Sequence, residues 1–502
     1  MKTITIAATL LLAASSIIPS FACTTIIVGK DASTDGSIII SRNNDTEDPH
    51  TPNVLFRHPE LKDNFQFQSN ENKFVCTMPI GSLSYTAMPD ATTIGKHNPS
   101  YEETGINEYG VALSATETIF NSDSALKADG LVENGVTEDM ITSVVLPQAT
   151  SAKEGVRILG SLVEKVGNSE GFGVAFSDRN EAWYLESASG HHWLAMRIPD
   201  NMYFISANQG RFQETDINDS MNVLSSPGLV DFAAKNKLFD PEKEKFNFFK
   251  CYVRNIPHDE TYDYPRVREL LKMYSGFNYD KNDALYPVFM EPTKKMSVWD
   301  VAAGLRNHYN GTANDPYQTQ NPKEINRPIS VLRASFSHIT QVKPNLPGDI
   351  ATAQYICLGM TDLSAYVPFY KGLGDVPKAY STSSVTPDDS MFWKVRKVQA
   401  LVFQNYPKYA PMVHEAIAKF EKDIARKQLR MEKKYVKIYQ QDPEAAKQLI
   451  QSFTNDIVEE QGKIFTELAK KISKDLGKEN LTNDQYLEMI NKAEETYHFP
   501  GA

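Results

Sequence analysis

The stretch Cys23–Asp45, CTTIIVGKDASTDGSIIISRNND, decides the fold of this chain. Its first eight residues are rich in β-branched side chains and predict a strand over 23–30. The pair Asp35-Gly36 is typical of a tight hairpin turn, and Ser37–Ser41 (SIIIS) predicts a second strand. The polar residues from Arg42 to Asp48 predict a loop. The sequence therefore predicts an antiparallel hairpin that begins at Cys23.

The residues before Cys23 have the features of an export signal. Lys2 supplies a positive start, Ile4–Ile18 is mostly apolar, and Ser20-Phe21-Ala22 puts small residues one and three positions before Cys23. The apolar stretch is too short and wrongly flanked for a stable membrane span. We expect residues 1–22 to be a signal peptide whose removal leaves Cys23 first, in an exported, periplasmic or extracellular protein.

The overall composition is that of a globular protein. The 502 residues are 41% hydrophobic and 23% charged, and the formal net charge is −11. This acidity disfavours binding to nucleic acid or to an anionic membrane surface. The sequence leaves open whether the protein forms a homo-oligomer.

The remaining cysteines show no metal-binding or disulfide pattern. Cys76, Cys251 and Cys357 are widely spaced, and no CxxC or Cys/His spacing accompanies them. They are expected to be small buried thiols, with one disulfide as the alternative. No metal site is predicted.

The order of elements predicts layered α+β structure. Helices are expected over 137–149 and over 151–166, where Ser151 and Glu154 form a capping box. Four strands are expected to follow as two consecutive hairpins, hence an antiparallel sheet, over 173–178, 181–186, 193–198 and 202–207. Further strands are expected over 329–342 and 353–358. Strands on both sides of a helical pair favour an α+β fold.

The composition changes near Met391, where long amphipathic helices are predicted. This helical region is expected to pack on the core or on a neighbouring subunit. The predicted organisation is a signal peptide at 1–22, a catalytic domain at 23–390 and a helical C-terminal region at 391–502.

A cysteine at the mature amino terminus carries its own base. Its α-amine would have a pKa near roughly 8 and its thiol near roughly 8.5. The amine, directly or through a water, can take the thiol proton, and the thiolate can attack an amide carbonyl. The predicted hairpin would return Arg42 and Asp45 to Cys23, where Arg42 would favour the thiolate and Asp45 would hold or orient the amine.

The same stretch closely resembles the opening of peptidase family C69, the dipeptidase A family of N-terminal nucleophile hydrolases. The resemblance spans most of residues 23–400 and continues in several later motifs. These are GINEYGVALSATET (Gly105–Thr118), ISANQGR (Ile205–Arg211), RPISVLRASFSHITQ (Arg327–Gln341), YVPFY (Tyr366–Tyr370) and FWKVRK (Phe392–Lys397).

The resemblance implies an αββα four-layer sandwich of two antiparallel sheets. It also implies a cysteine dipeptidase that works through a thioester and needs no metal or organic cofactor. Cys23 would be the nucleophile, with Arg42 and Asp45 beside it and Asn208 as a donor to the oxyanion. Glu117 replaces the asparagine or tyrosine of related acylases and would instead bind the free amino group of a dipeptide. A further arginine of the superfamily corresponds to Arg327 or Arg333, and the sequence leaves this choice open.

Two other functions remain as alternatives. The same fold would serve an acylase of the penicillin V acylase or bile salt hydrolase type, which cuts small N-acyl amides. Cys23 would otherwise be the acylated cysteine of a surface lipoprotein without enzymatic activity. Ser20 argues against the lipoprotein, because lipoprotein signals usually carry Leu or a similar residue three positions before the cysteine.

Overall fold

The computed structural model describes residues 23–46, 48–279, 285–318, 326–497 and 499. The predicted signal peptide, residues 1–22, lies outside the described residues. Of the two large sheets, the one that contains the strand after Cys23 is called the first sheet below, and the other the second sheet.

The strands are short to medium in length and are spread over the chain up to residue 370. They are β1 (Thr24–Val28), β2 (Ile38–Asp45), β3 (Phe56–His58), β4 (Phe65–Gln68), β5 (Val75–Met78), β6 (Tyr85–Ala87), β7 (Thr104–Asn107), β8 (Ala112–Thr118), β9 (Phe172–Ser177), β10 (Ala182–Ser187), β11 (Trp193–Arg197), β12 (Tyr203–Ser206), β13 (Val223–Ser225), β14 (Phe289–Met290), β15 (Ala334–Val342), β16 (Thr352–Leu358) and β17 (Val367–Tyr370).

The α-helices lie between groups of strands and fill the C-terminal region. They are α1 (Asp123–Ala128), α2 (Glu138–Val145), α3 (Ala152–Val166), α4 (Leu229–Lys235), α5 (Phe248–Tyr252), α6 (Asp259–Tyr262), α7 (Tyr264–Ser275), α8 (Val298–Leu305), α9 (Gly348–Ala351), α10 (Lys378–Ser381), α11 (Met391–Val402), α12 (Tyr406–Tyr439), α13 (Pro443–Asp475) and α14 (Asn483–Tyr497).

Both large sheets are antiparallel. The first sheet has the strand order β14-β12-β1-β2-β15-β16-β17, and the second has the order β13-β11-β10-β9-β8-β7-β6-β3. Strands β4 and β5 form a separate two-stranded ribbon. The central strand β2 packs against β8, β9 and β10 of the second sheet. The two sheets therefore lie face to face.

Helices cover the two outer faces. On the first sheet, Ile26 and Ile39 share a core with α7, α8 and the C-terminal helices. On the second sheet, Val174 and Leu185 pack with α2 and α3. Between the sheets, Ile27 of β1 and Ile40 of β2 pack with apolar side chains of the second sheet. This order of layers confirms the α+β class and the αββα sandwich.

The opening hairpin is confirmed, but its second strand is longer than predicted. β1 pairs with β2, and the turn includes Gly36 at a φ of 74°, a left-handed conformation that suits glycine. The prediction of a loop from Arg42 was wrong as far as Asp45, because β2 continues to that residue. This polar segment stays in the sheet because β1 and β15 hold β2 on both edges.

The two predicted helices are confirmed, with Ser151 as the N-cap of α3, but one predicted hairpin is wrong. The strands β9 and β10 pair as expected. The next strand, β11, pairs with β10 and β13 in the second sheet, whereas β12 pairs with β1 and β14 in the first. The turn at Pro199–Asn201 thus carries the chain from one sheet to the other. This crossing brings the end of β12 beside the start of β1.

The C-terminal helices pack on the first sheet. Trp393 of α11, Ile424 of α12 and Ile457 of α13 belong to the same core as Ile356 of β16. α11 begins at Met391, where the sequence predicts the helical region to begin. The division into a catalytic domain and a C-terminal region stays a prediction. None of the helices in the described ranges combines the length and apolar character needed to cross a membrane.

Candidate active site

The alternation of side chains along β1 and β2 places Cys23 and Arg42 between the two sheets. Ile27 and Ile40 lie in the core between the sheets, and every second residue of a strand shares a face. Cys23 is four residues before Ile27, and Arg42 is two residues after Ile40. Both side chains therefore lie on the same face as these isoleucines. The guanidinium Nη1 of Arg42 donates to the Cys23 Sγ over 2.9 Å.

The Cys23 thiol is fully buried, and burial governs its acidity. Desolvation raises the pKa of the thiol to about 12, although the Arg42 charge opposes the rise. Asp45 and Glu117 add to the rise through their negative charges. The thiol is therefore protonated at neutral pH in this state and requires a base before it can act as a nucleophile.

The Arg42 guanidinium is fixed from several directions. Its Nη2 donates to the Glu103 carboxylate over 2.7 Å and to the backbone oxygens of Glu103 and Ala115. Nη1 also donates to the Thr116 backbone oxygen, and Nε donates to the Ser114 hydroxyl. These contacts join β2 of the first sheet to β8 of the second. Arg42 is thus a rigid cation next to the thiol.

Asp45 lies at the end of β2, and only one of its two carboxylate oxygens has a hydrogen-bond partner among the described residues. Its Oδ2 accepts a hydrogen bond from Arg327 within a buried ion pair, while its Oδ1 is buried without a hydrogen-bond partner among the described residues. Burial raises the pKa of Asp45, and the charges of Arg327 and Arg333 oppose the rise. Between the two arginines that the sequence leaves open, Arg327 is the one paired with Asp45.

Asn208 follows β12 and reaches the site because β12 pairs with β1. Its φ of 59° is a left-handed conformation that asparagine tolerates better than most residues. Its side-chain Nδ2 donates to the Thr118 backbone oxygen over 2.9 Å. Its backbone N–H donates to the Oε1 of Glu117 over 2.5 Å, so the structure brings Asn208 and Glu117 together.

Glu117 is a fully buried carboxylate without an ion pair among the described residues. Its Oε2 is buried and has no hydrogen-bond partner within the described part of the chain. Burial raises the pKa of Glu117, although hydrogen bonds from Thr25 and from the Asn208 backbone oppose this. A cationic group that reached Oε2 would favour the ionised form.

The sequence analysis missed Arg266, which connects the nucleophile to Asn208. This fully buried residue of α7 donates from Nη1 to the Cys23 backbone oxygen over 2.6 Å. Its Nη2 donates to the Asn208 Oδ1 over 2.8 Å and to Asp263 over 3.2 Å. Since α7 reaches the site through tertiary packing, no local pattern around Arg266 indicates this role.

The described residues contain no group of histidine, cysteine and acidic side chains that could hold a metal ion. All four cysteines are free thiols, so the disulfide alternative is not present in this structure. The site thus combines a buried thiol, a cation at its sulfur, an amide and two carboxylates. Such a set can support nucleophilic attack on an amide carbonyl once a base is supplied.

Comparison with known proteins identifies relatives over most of the chain. The family model described as Peptidase family C69 matches residues 22–419. A probable dipeptidase of Salmonella dublin is 44% identical over 355 residues, which is 70% of this chain and 81% of that protein. Probable dipeptidase A of Streptococcus pyogenes serotype M3 is 34% identical, over 77% of this chain and 84% of that protein. A dipeptidase of Bifidobacterium longum is 32% identical, over 81% and 84%.

Proposed function

The chain belongs to peptidase family C69 and is a peptide hydrolase, and from this premise we propose that it is an exported cysteine dipeptidase. In this proposal Cys23 is the nucleophile, and removal of residues 1–22 makes it the first residue. The observation that carries the proposal is the contact of 2.9 Å between the Arg42 guanidinium and the buried Cys23 sulfur. A cation at this distance stabilises a thiolate more than a neutral thiol.

Cleavage before Cys23 would supply the base that the buried thiol requires. The freed α-amine takes the thiol proton, directly or through a water. The unpartnered Oδ1 of Asp45 supports this proposal, because a buried carboxylate oxygen at the end of β2 is suited to receive an N–H of that amine. Export would place the mature enzyme in the periplasm or outside the cell.

The proposed reaction has two chemical steps. The Cys23 thiolate attacks the carbonyl carbon of the dipeptide, and the Asn208 amide with a backbone N–H stabilises the oxyanion. The tetrahedral intermediate collapses and breaks the C–N bond, while the Cys23 ammonium gives its proton to the leaving amine. Water then attacks the thioester and releases the first amino acid and the thiol. Glu117 is proposed to bind the substrate ammonium through Oε2.

The test compares the mature protein, starting at Cys23, with its Cys23→Ser and Cys23→Ala variants on a panel of dipeptides and N-acyl amino acids. The mature protein should cleave dipeptides, and the alanine variant should lose this activity. Full activity of the alanine variant would rule out Cys23 as the nucleophile. Activity on N-acyl amino acids alone would instead favour the acylase. The mass of the exported protein should equal that of the chain from Cys23, without an added lipid.

A further inference from the structure

One arginine near the nucleophile, Arg333, forms no ion pair with any described residue. Arg333 is only 6% exposed, and its Nη2 donates to the Tyr262 hydroxyl over 2.9 Å. Its guanidinium makes no other hydrogen bond within the described part of the chain, although its charge opposes the rise in the pKa of Asp45. The neighbouring arginines differ, since Arg327 pairs with Asp45 and Arg266 pairs with Asp263.

Several contacts place Arg333 beside the catalytic residues. Tyr262, which accepts its hydrogen bond, has a ring 5.0 Å from the Arg327 guanidinium and 5.3 Å from that of Arg266. The backbone oxygen of Arg333 accepts from the N–H of Thr46, the residue after Asp45, over 3.2 Å. Arg333 precedes β15, whose first residue pairs with Asp45. Its charge thus lies at the end of the first sheet where Cys23 begins.

A buried cation without an anion is costly, and a guanidinium is suited to hold a carboxylate through two parallel hydrogen bonds. The same site contains the buried carboxyl group of Glu117, which has no ion pair among the described residues and whose Oε2 has no hydrogen-bond partner among them. A dipeptide carries one positive and one negative end. Its two ends would therefore complement Glu117 and Arg333, the two side chains of this site that form no ion pair among the described residues.

We propose that Arg333 binds the C-terminal α-carboxylate of the dipeptide and thereby limits the substrate to two residues. This inference rests on the proposed function, since it concerns the same site. With the ammonium at Glu117, an extended dipeptide spans about 7 Å, and a tripeptide would carry its carboxylate about 3.5 Å further. A tripeptide or a dipeptide amide would then leave Arg333 without its partner.

The test uses the mature protein with a dipeptide and the same dipeptide as its C-terminal amide. The wild type should prefer the free acid, and Arg333→Gln should lower kcat/KM for it by about 100-fold, mainly through KM. The same substitution should leave kcat/KM for the amide within about twofold. Arg333→Lys keeps the charge without the planar fork and should give an intermediate loss.

Arg57→Gln is the control, because among the described residues the Arg57 guanidinium also has one hydrogen-bond acceptor, the Leu373 backbone oxygen, but this exposed arginine lies on β3 at an edge of the second sheet. It should leave both activities unchanged. An equal loss of activity on acid and amide in Arg333→Gln would overturn the proposal, and so would no loss on the acid.

Binding without catalysis separates this inference from the proposed function. A ketomethylene dipeptide, which has no amide bond to cleave, and its C-terminal amide are titrated calorimetrically into the Cys23→Ala protein. The free acid should bind about 100-fold more tightly, and Arg333→Gln should abolish this difference. Equal binding of both ligands would refute the role of Arg333 even if Cys23 is the nucleophile. Activity retained in Cys23→Ala would show that Cys23 is not the nucleophile, and would leave the role of Arg333 unaffected.

Discussion

Arg42 and Cys23 approach each other across two neighbouring strands, with the Arg42 Nη1 2.9 Å from the Cys23 Sγ. Both residues are fully buried. The pair is the centre of the proposed mechanism because burial raises the pKa of the thiol and Arg42 is the main group that lowers it.

Replacing Arg42 by lysine should make Cys23 less reactive. Lysine cannot reproduce the planar fork that spans Cys23, Glu103 and the backbone oxygens of β8. We expect the thiol pKa to rise by about one unit, so that alkylation by iodoacetamide at a fixed pH slows by roughly tenfold. Peptidase activity should fall at least as much.

The control for this variant is Arg306→Lys. Arg306 is also an arginine bound to a buried carboxylate, Glu421, and to backbone oxygens, and it makes no hydrogen bond to Cys23, Asp45 or Asn208. Arg306→Lys should change the stability of the protein without changing the rate at which Cys23 is alkylated in the folded protein. Equal effects of both substitutions on alkylation would contradict a specific role for Arg42.

The α-amine of Cys23 should control the pH dependence of activity. It acts as a base only when neutral, so kcat/KM should rise with pH through a pKa near roughly 8. Asp45→Asn removes a negative charge that favours the ammonium and should move this rise to lower pH. A mature protein with one extra residue before Cys23 should be inactive at every pH. Activity in that extended protein would exclude the amine as the base.

Removing the Asn208 side chain should affect the chemical step more than substrate binding. Asn208→Gly keeps the left-handed backbone accessible, whereas alanine would add strain. We expect kcat to fall by about 100- to 1,000-fold with a small change in KM. Asn208→Asp, which retains the shape but loses the amide donor, should be similarly impaired. If Asn208→Asp were fully active, Asn208 would not be an oxyanion donor.

A buried cluster away from the site should make stability depend on pH. His308 is bonded to Asp315 over 3.0 Å and lies near Asp362, which also binds Tyr406 and His414 of α12. Burial lowers the pKa of His308, but the hydrogen bonds and charges of Asp315 and Asp362 outweigh this and raise it to about 9. The cluster links α12 to the loops of the first sheet.

Because the folded pKa of His308 is raised, its stabilisation is complete below about pH 6.5 and is lost as pH rises through about 9. The pKa of Asp362 is lowered, so its contribution is lost at acid pH instead. Between pH 6 and pH 9 we expect the wild type to lose about 3 kcal/mol from His308. Chemical denaturation at both pH values measures this.

His308→Gln should lose less stability than the wild type over the same interval, because it lacks the titrating group. The control is His97→Gln, because the His97 ring is exposed and is hydrogen-bonded to the Gln66 backbone oxygen. This variant should lose as much stability over the interval as the wild type. Parallel losses in wild type and His308→Gln would show that another group controls the pH dependence.

Local sequence patterns were sufficient to predict the elements that depend only on residues close together in the chain. The β-branched residues and the Asp35-Gly36 turn signal predicted the opening hairpin and thereby the approach of Arg42 to Cys23. The apolar stripe and the Ser151 cap predicted α3, and its C-terminal residue is Val166, followed by Gly167. These features follow from side-chain direction and backbone capping, which depend on residues a few positions apart.

The sequence itself thus determined the strand that follows Cys23, the hairpin that returns Arg42, and the resemblance that indicates a peptidase. Only the tertiary structure decided that β12 pairs with β1 of the first sheet and not, as the sequence predicts, with β11. This pairing brings Asn208 to the nucleophile. It also decided that Arg266 of α7 reaches Cys23, and that Asp45 pairs with Arg327 while Arg333 forms no ion pair among the described residues. The physical reason is that strand partners and buried ion pairs between distant residues depend on how whole layers pack, which no local pattern records.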